Sequence, residues 1–230
     1  MRALNDARRI GEAAALMCAL LITFITQILC GNYVRANEQS GELIALADEK
    51  GAAQWKAQGM LLRGCVFAVT GKASDAVPII TSGLTALQST RSKYLMPLYL
   101  SYWSIAYAEL HRFDDARRCV DEDMTGMEKT KEKWFEPEVY RTAGEIALKS
   151  PEHDVTEAQA YFERALAVAR VQQAKSWELR AAMSLARLWR DQGKREEACE
   201  LLAPVYGWFT EGFDTRDLKE AKALLNELAA

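Results

Sequence analysis

The sequence predicts an all-α solenoid of helical hairpins, and three observations lead there. The first is composition. Of 230 residues half are hydrophobic and 27% are charged, while Gly and Pro number only 13 and 5. Good helix formers (Ala, Leu, Glu, Arg) are abundant, and few turn residues remain for a many-stranded sheet. The second is a repeat: Ala36, Ala76, Ala116, Ala158 and Ala198 lie 40, 40, 42 and 40 residues apart, each just after a turn-like stretch. The third is a shared register. Gly64, Phe67, Gly71, Ala76, Ile80 and Gly83 fall at offsets 0, 3, 7, 12, 16 and 19. Ser104, Tyr107, His111, Ala116 and Val120 fill the first five offsets, and so do Ala186, Trp189, Gly193, Ala198 and Leu202. Phe24, Gln27, Gly31, Ala36, Ser40 and Leu43 follow it with weaker chemistry. A fixed period of this length marks stacked supersecondary units.

Each unit reads as two helices meeting at the turn. A small residue lets the helices approach, and a large one three residues on lies on the same face one turn away. Glycine at the turn accepts the positive φ that ends a helix. The expected pairs are 5–30 with 33–50, 52–70 with 74–90, 95–110 with 113–129, 136–149 with 155–172, and 175–192 with 195–210. Pro97 and Pro137 suit first-turn positions, where a missing N–H costs little. Pro204 falls inside a helix and is expected to kink it. Asp214 and Asp217 signal the start of a last helix over 215–228. The domain reading is therefore one repeat domain over 1–230, five hairpins and a C-terminal capping helix.

The order of small residue, aromatic, turn, alanine, aromatic and alanine resembles the tetratricopeptide repeat (TPR). The fourth unit carries it in Ala158, Phe162 and Ala165, with two extra residues in its loop at Ser150–Thr156. The period near 40 exceeds the usual 34, so TPR-like is the fitting term, and HEAT-type pairing stays open. The resemblance implies a TPR-like α-α superhelix. From Glu178 onward, the run ELRAAMSLARLWRDQGKREEACELLAPVYGWFTEGFDTRDLKEAKALLNEL is similar to the C-terminal end of bacterial signalling proteins. Those proteins join a class III adenylate/guanylate cyclase or DNA-binding domain to a STAND/AAA ATPase and a TPR-like array. The resemblance implies a C-terminal repeat array of such a protein, or a stand-alone relative, in a bacterial signalling setting.

The catalytic parts of those proteins do not appear. Gly71-Lys72-Ala73-Ser74 has neither the spacing of a phosphate-binding loop nor a strand before it. A net charge of −3 gives no basic stripe for nucleic acid. The cysteines at 18, 30, 65, 119 and 199 are scattered and odd in number, which reads as reduced, packed thiols in a cytoplasmic protein. The two histidines, His111 and His153, fall at turns without ligand-spaced partners. Asp121, Glu122 and Asp123 are a solvated helix face sooner than a cation site. No catalytic, cofactor or metal residue is assigned. Residues 13–34 carry no charge and by length could span a bilayer. Their place in the repeat favours a buried helix in a soluble protein, with membrane contact the lesser reading.

The expected site is a surface. First helices of TPR-like units line a groove, and in this register they present Leu61, Cys65, Val69 and Ile105 early and Arg141, Arg187 and Arg190 late. The early half is oily and the late half charged. Either a protein or peptide partner covers the oily half, or the units bury it against one another. Residues 13–29 are apolar nearly all round, so Leu21, Ile25 and Ile28 are expected at an N-terminal interface with upstream domains of the same polypeptide, a second copy, or a membrane. Tyr206, Trp208, Phe209 and Phe213 are read as packing that docks the last helix. The function expected is a non-catalytic interaction or sensor module. The alternatives are a small-ligand regulatory domain of a cyclase or ATPase and a membrane-anchored scaffold through 13–34.

Overall fold

A computed structural model describes residues 2–88 and 94–229, and among these every regular element is an α-helix. The chain forms two compact units, Met1–Leu110 and His111–Ala230. The first holds α1 (Arg2–Ile10), α2 (Ala13–Leu29), α3 (Tyr33–Glu49), α4 (Ala53–Ala68), α5 (Ala73–Gln88) and α6 (Met96–Glu109). The second holds α7 (Phe113–Thr130), α8 (Glu136–Lys149), α9 (Val155–Val171), α10 (Lys175–Asp191), α11 (Arg195–Gly207) and α12 (Arg216–Ala229). The expected end of the fifth helix at 90 lies outside the described residues.

Short connections set this pattern. Gly31 has φ 76° and Gly193 φ 80°, left-handed values that end a helix without a Cβ clash. The next residue closes a six-residue ring: Asn32 N–H donates to Gln27 O (2.8 Å) and Lys194 N–H to Trp189 O (2.8 Å). Together with the Gly31 and Gly193 N–H bonds to Ile28 and Arg190, this is a Schellman stop. That same closing residue is the N-cap of the following helix, so two residues turn the chain. Left-handed residues stand at 11, 31, 51, 71, 111, 131, 153, 173 and 193, with two more off this spacing at 95 and 212. The half-unit of 20 residues, not only the full period of 40, is therefore the structural beat.

The five repeating alanines all sit four residues into the helix after the turn, and each is 0% exposed. Their N–H groups bond the N-cap carbonyl, as Ala36 does to Asn32 (3.0 Å) and Ala158 to Asp154 (3.0 Å). No larger side chain fits where the second helix first crosses its partner. Further along, glycine makes the crossing. A Cβ on Gly64 of α4 would lie 2.4 Å from Ile80 of α5, and one on Gly83 of α5 would lie 2.7 Å from Leu61 of α4. Gly144 of α8 repeats the Gly64 contact, here against Phe162 of α9 at 2.5 Å. The two extra loop residues shift its register, which is why the sequence pattern passes over it.

Within each unit, first helices touch first helices: α2 meets α4 and α4 meets α6, while α8 meets α10 and α10 meets α12. The last helix therefore takes the place of a first helix in a further hairpin. At the other end the expected helix 5–30 is two helices, because Gly11 (φ 76°) breaks it. α1 packs on α2, burying Leu4 and Ala7, and its Arg8 pairs with Glu42 of α3 at 2.6 Å. A polar half-hairpin therefore covers part of the oily helix, where the sequence predicts a cap at the C-terminal end alone. α12 starts at Arg216, with Thr215 accepting the first helical bond, one residue beyond the expected Asp214. α11 runs through Pro204 to Gly207.

Candidate functional site

The first-helix face is the surface to weigh, and the two units furnish it differently. On α4, Leu61 and Cys65 are 0% exposed. Leu61 fills the space opposite Gly83, and burial pushes the Cys65 thiol well above its ordinary pKa. Leu61 belongs to the hairpin's own core, where hiding a leucine is worth about 2 kcal/mol, and Cys65 lies near Tyr99 of α6. Val69 and Ile105 are half-buried. On α2, Leu21 and Ile28 are buried and Ile25 is half-buried.

What α2 leaves open is a different line. Ala14, Cys18, Ile22 and Thr26, spaced by four, are all exposed, and Ile22 is 48% exposed. No charge interrupts α2, and Ile10 before it and Val34 after it are exposed as well. This line is the free edge of the α2–α4–α6 row. The sequence expects Leu21, Ile25 and Ile28 at an N-terminal interface, whereas the line open on α2 is Ala14, Cys18, Ile22 and Thr26. The reason is that α1, α3 and α4 all pack on the Leu21–Ile28 side.

In the second unit the first-helix face is a continuous ion-pair ladder. Arg141 of α8 donates to both oxygens of Glu138 (2.9 and 2.7 Å) and to Glu145 (3.3 Å). From α10, Arg180 donates to Glu138 (3.4 Å) and to Asp217 of α12 (2.6 Å), while Ser184 donates to Glu145 (2.8 Å). Further along, Arg187 donates to Glu220 (3.1 Å) and Arg190 to Glu227 (2.8 Å), both on α12. Burial of Glu138 would raise its pKa, but the Arg141 and Arg180 guanidinium groups outweigh that and hold it at about 2. A bidentate, buried pair of this kind needs every donor and acceptor matched.

The sequence singles out Arg141, Arg187 and Arg190 as groove residues, the last two to orient an acidic group, and α12 supplies acidic groups to those two. Glu138 and Arg180 were missed. The spacing of Glu138, Arg141 and Glu145 by three and four was the available signal, but the partner helix for Arg180 could be found only by folding. The aromatic group after α11 divides. Tyr206 and Phe209 pack on the core, whereas Trp208 and Phe213 stay 57% and 47% exposed, with the Lys175 ammonium 5.7 Å from the Trp208 ring.

All five cysteines are free thiols. Among the described residues no group of His, Cys, Asp or Glu is placed to hold a metal, and no helix is long and apolar enough to cross a membrane. A cleft of about 400 Å³ opens between α7, α8 and α9.

No protein-family model matches the sequence. No curated protein is similar to it. Solved structures do match. BtubC (BKLC) from P. vanneervenii aligns with 98% of this chain and 89% of its own at 16% identity, with a TM-score of 0.63. The TPR-like repeats of a kinesin light chain from Podosopora anserina align with 92% of this chain and 95% of theirs at 14% identity and a TM-score of 0.53. A variant of the same repeats aligns with 83% and 93% at 16% identity and 0.55. At these identities the likeness is one of fold: the chain is an all-α, TPR-like solenoid.

Proposed function

We propose that the chain is a non-catalytic protein-interaction scaffold that docks its occupant on the free edge of α2. One observation carries this reading: the exposed line Ala14, Cys18, Ile22 and Thr26 is uncharged and sits where the next first helix of a solenoid would stack. An apolar edge at the end of a repeat row is satisfied by another helix. At the C-terminal edge α12 stands in the first-helix place and pairs with Arg187 and Arg190. Val69 and Ile105, both partly open, are a secondary surface on the N-terminal unit of the same scaffold. The similarity of residues 178–228 to signalling-protein arrays implies an upstream domain of the same polypeptide as occupant. The isolated chain can supply a second copy of itself.

Light scattering on the isolated chain across a concentration series tests the edge. The expected result is reversible self-association that Ile22→Asp abolishes while the helical signal is retained. A wild-type chain that stays monomeric throughout, with Ile22 solvent-facing, overturns the reading.

A further inference from the structure

The cleft between α7, α8 and α9 shares no lining residue with the ion-pair ladder. Its floor is apolar, made by Val120 of α7 and by Ile146 and Ala147 of α8, and Tyr161 of α9 forms one wall. Its rim carries four carboxylates and one guanidinium. Two of the carboxylates are committed: Glu152 pairs with Arg117 at 3.2 Å, and Asp154 caps α9 by accepting the Glu157 N–H at 2.8 Å. The other two, Asp121 and Glu157, have no ion-pair partner among the described residues. They face the cleft from α7 and α9, and Tyr161 lies near both: burial raises the pKa of its hydroxyl, and Glu157 and Asp121 raise it further. Arg117 is the one cationic side chain lining the cleft, and it is spent on Glu152.

From this geometry we infer that the α7–α8–α9 cleft is a recognition pocket for one lysine or arginine side chain of a partner protein. The chemistry fits in two parts. The aliphatic stem of such a side chain lies along Val120, Ile146 and Ala147 against the Tyr161 ring, and its charged head bonds Asp121 and Glu157. A smaller inorganic cation would leave the apolar floor unused, and an acidic or purely apolar segment would leave two carboxylates unpaired. The volume of about 400 Å³ exceeds what one side chain fills, leaving room for the backbone that carries it. The site deepens the scaffold reading, on which it rests, by giving the partner a basic residue in addition to an apolar helix.

The test uses the full chain and small probes followed by amide chemical shifts. Nα-acetyl-lysine methylamide is expected to move signals of residues 117–121, 143–147 and 152–161 saturably, with a Kd on the order of millimolar. The uncharged isostere Nα-acetyl-norleucine methylamide is expected to bind about tenfold more weakly, the difference a charge-assisted bond makes. Asp121→Asn with Glu157→Gln is expected to erase that tenfold preference and leave the helical signal unchanged. Equal shifts from the two probes, or shifts elsewhere, overturn the pocket. Saturation by spermidine at about a tenth of the lysine concentration also overturns it, in favour of a free polyamine site. A chain that self-associates through α2 but ignores the lysine probe loses the pocket and keeps the scaffold; the reverse pattern loses the α2 edge and keeps the pocket.

Discussion

In the N-terminal unit α4 meets α5 across glycine, with Gly64 under Ile80 and Gly83 under Leu61. In the C-terminal unit α8 meets α10 across charge, with Glu138 held between Arg141 and Arg180. Both units close a hairpin on glycine, since Gly144 meets Phe162 as Gly64 meets Ile80, and the C-terminal unit in addition joins its first helices α8 and α10 by ion pairs. Close packing is indifferent to pH and salt but intolerant of added volume. A buried pair tolerates its neighbours' size but fails when a partner or a charge is removed. The two kinds of contact should therefore break under different perturbations.

The largest expected effect is in the charged half. Glu138→Ala leaves Arg141 and Arg180 short of a buried acceptor and is expected to cost about 3 kcal/mol. The midpoint of urea unfolding read by Trp134 and Trp177 should fall, while hydrogen exchange in α3–α5 stays unchanged. Acid should select the same half. The Glu138 pKa is depressed to about 2 from an ordinary 4.5, so its contribution is complete above 4.5 and is lost as pH falls towards 2. That loss is roughly 3 kcal/mol by linkage. Exchange protection in α8 and α10 should drop over that window before protection in α4 and α5. Simultaneous loss in both units would erase the contrast.

Added volume should break the glycine contacts instead. Gly64→Val is expected to cost about 2 kcal/mol, because a Cβ there would already lie 2.4 Å from Ile80 Cγ1. Combining it with Ile80→Ala should recover about 1 kcal/mol relative to additivity in a double-mutant cycle. Additive costs would show that the glycine is not there to make room. The smallest effect concerns the turns. Gln173 holds a left-handed φ of 55° where Gly31 and Gly193 serve elsewhere. Gln173→Gly should therefore raise stability by up to about 1 kcal/mol, and Gly193→Ala should lower it by about as much. Thermal unfolding of both variants checks the sign.

Most of the fold was legible in the sequence because its causes are local. The alanine spacing located five second helices, since each alanine sits one turn past a cap and contacts its own hairpin. The break at Gly11 is equally local, since its positive φ ends α1 just before the uncharged run of α2 begins. The candidate surfaces were less legible. Leu61 and Cys65 share the register of groove positions, but Gly83 draws α5 so close to Leu61 that this side chain becomes core, and Cys65 is buried as well. Gly144 does the work of Gly64, and the two added loop residues hid it from a fixed period.

By itself the sequence determined an all-helical, TPR-like array with a period of 40, its turns and its apolar inward faces, because hydrogen bonding, φ preference and side-chain volume act within a hairpin. Tertiary structure alone decided which faces remain open and which charges are spent. α12 enters the first-helix row and neutralises Arg187 and Arg190, α1 covers one side of α2 and leaves Ile22 bare, and the packing of α7, α8 and α9 brings Asp121 and Glu157 to one cleft. Each of these depends on residues tens of positions apart meeting in space, and no local spacing encodes that meeting.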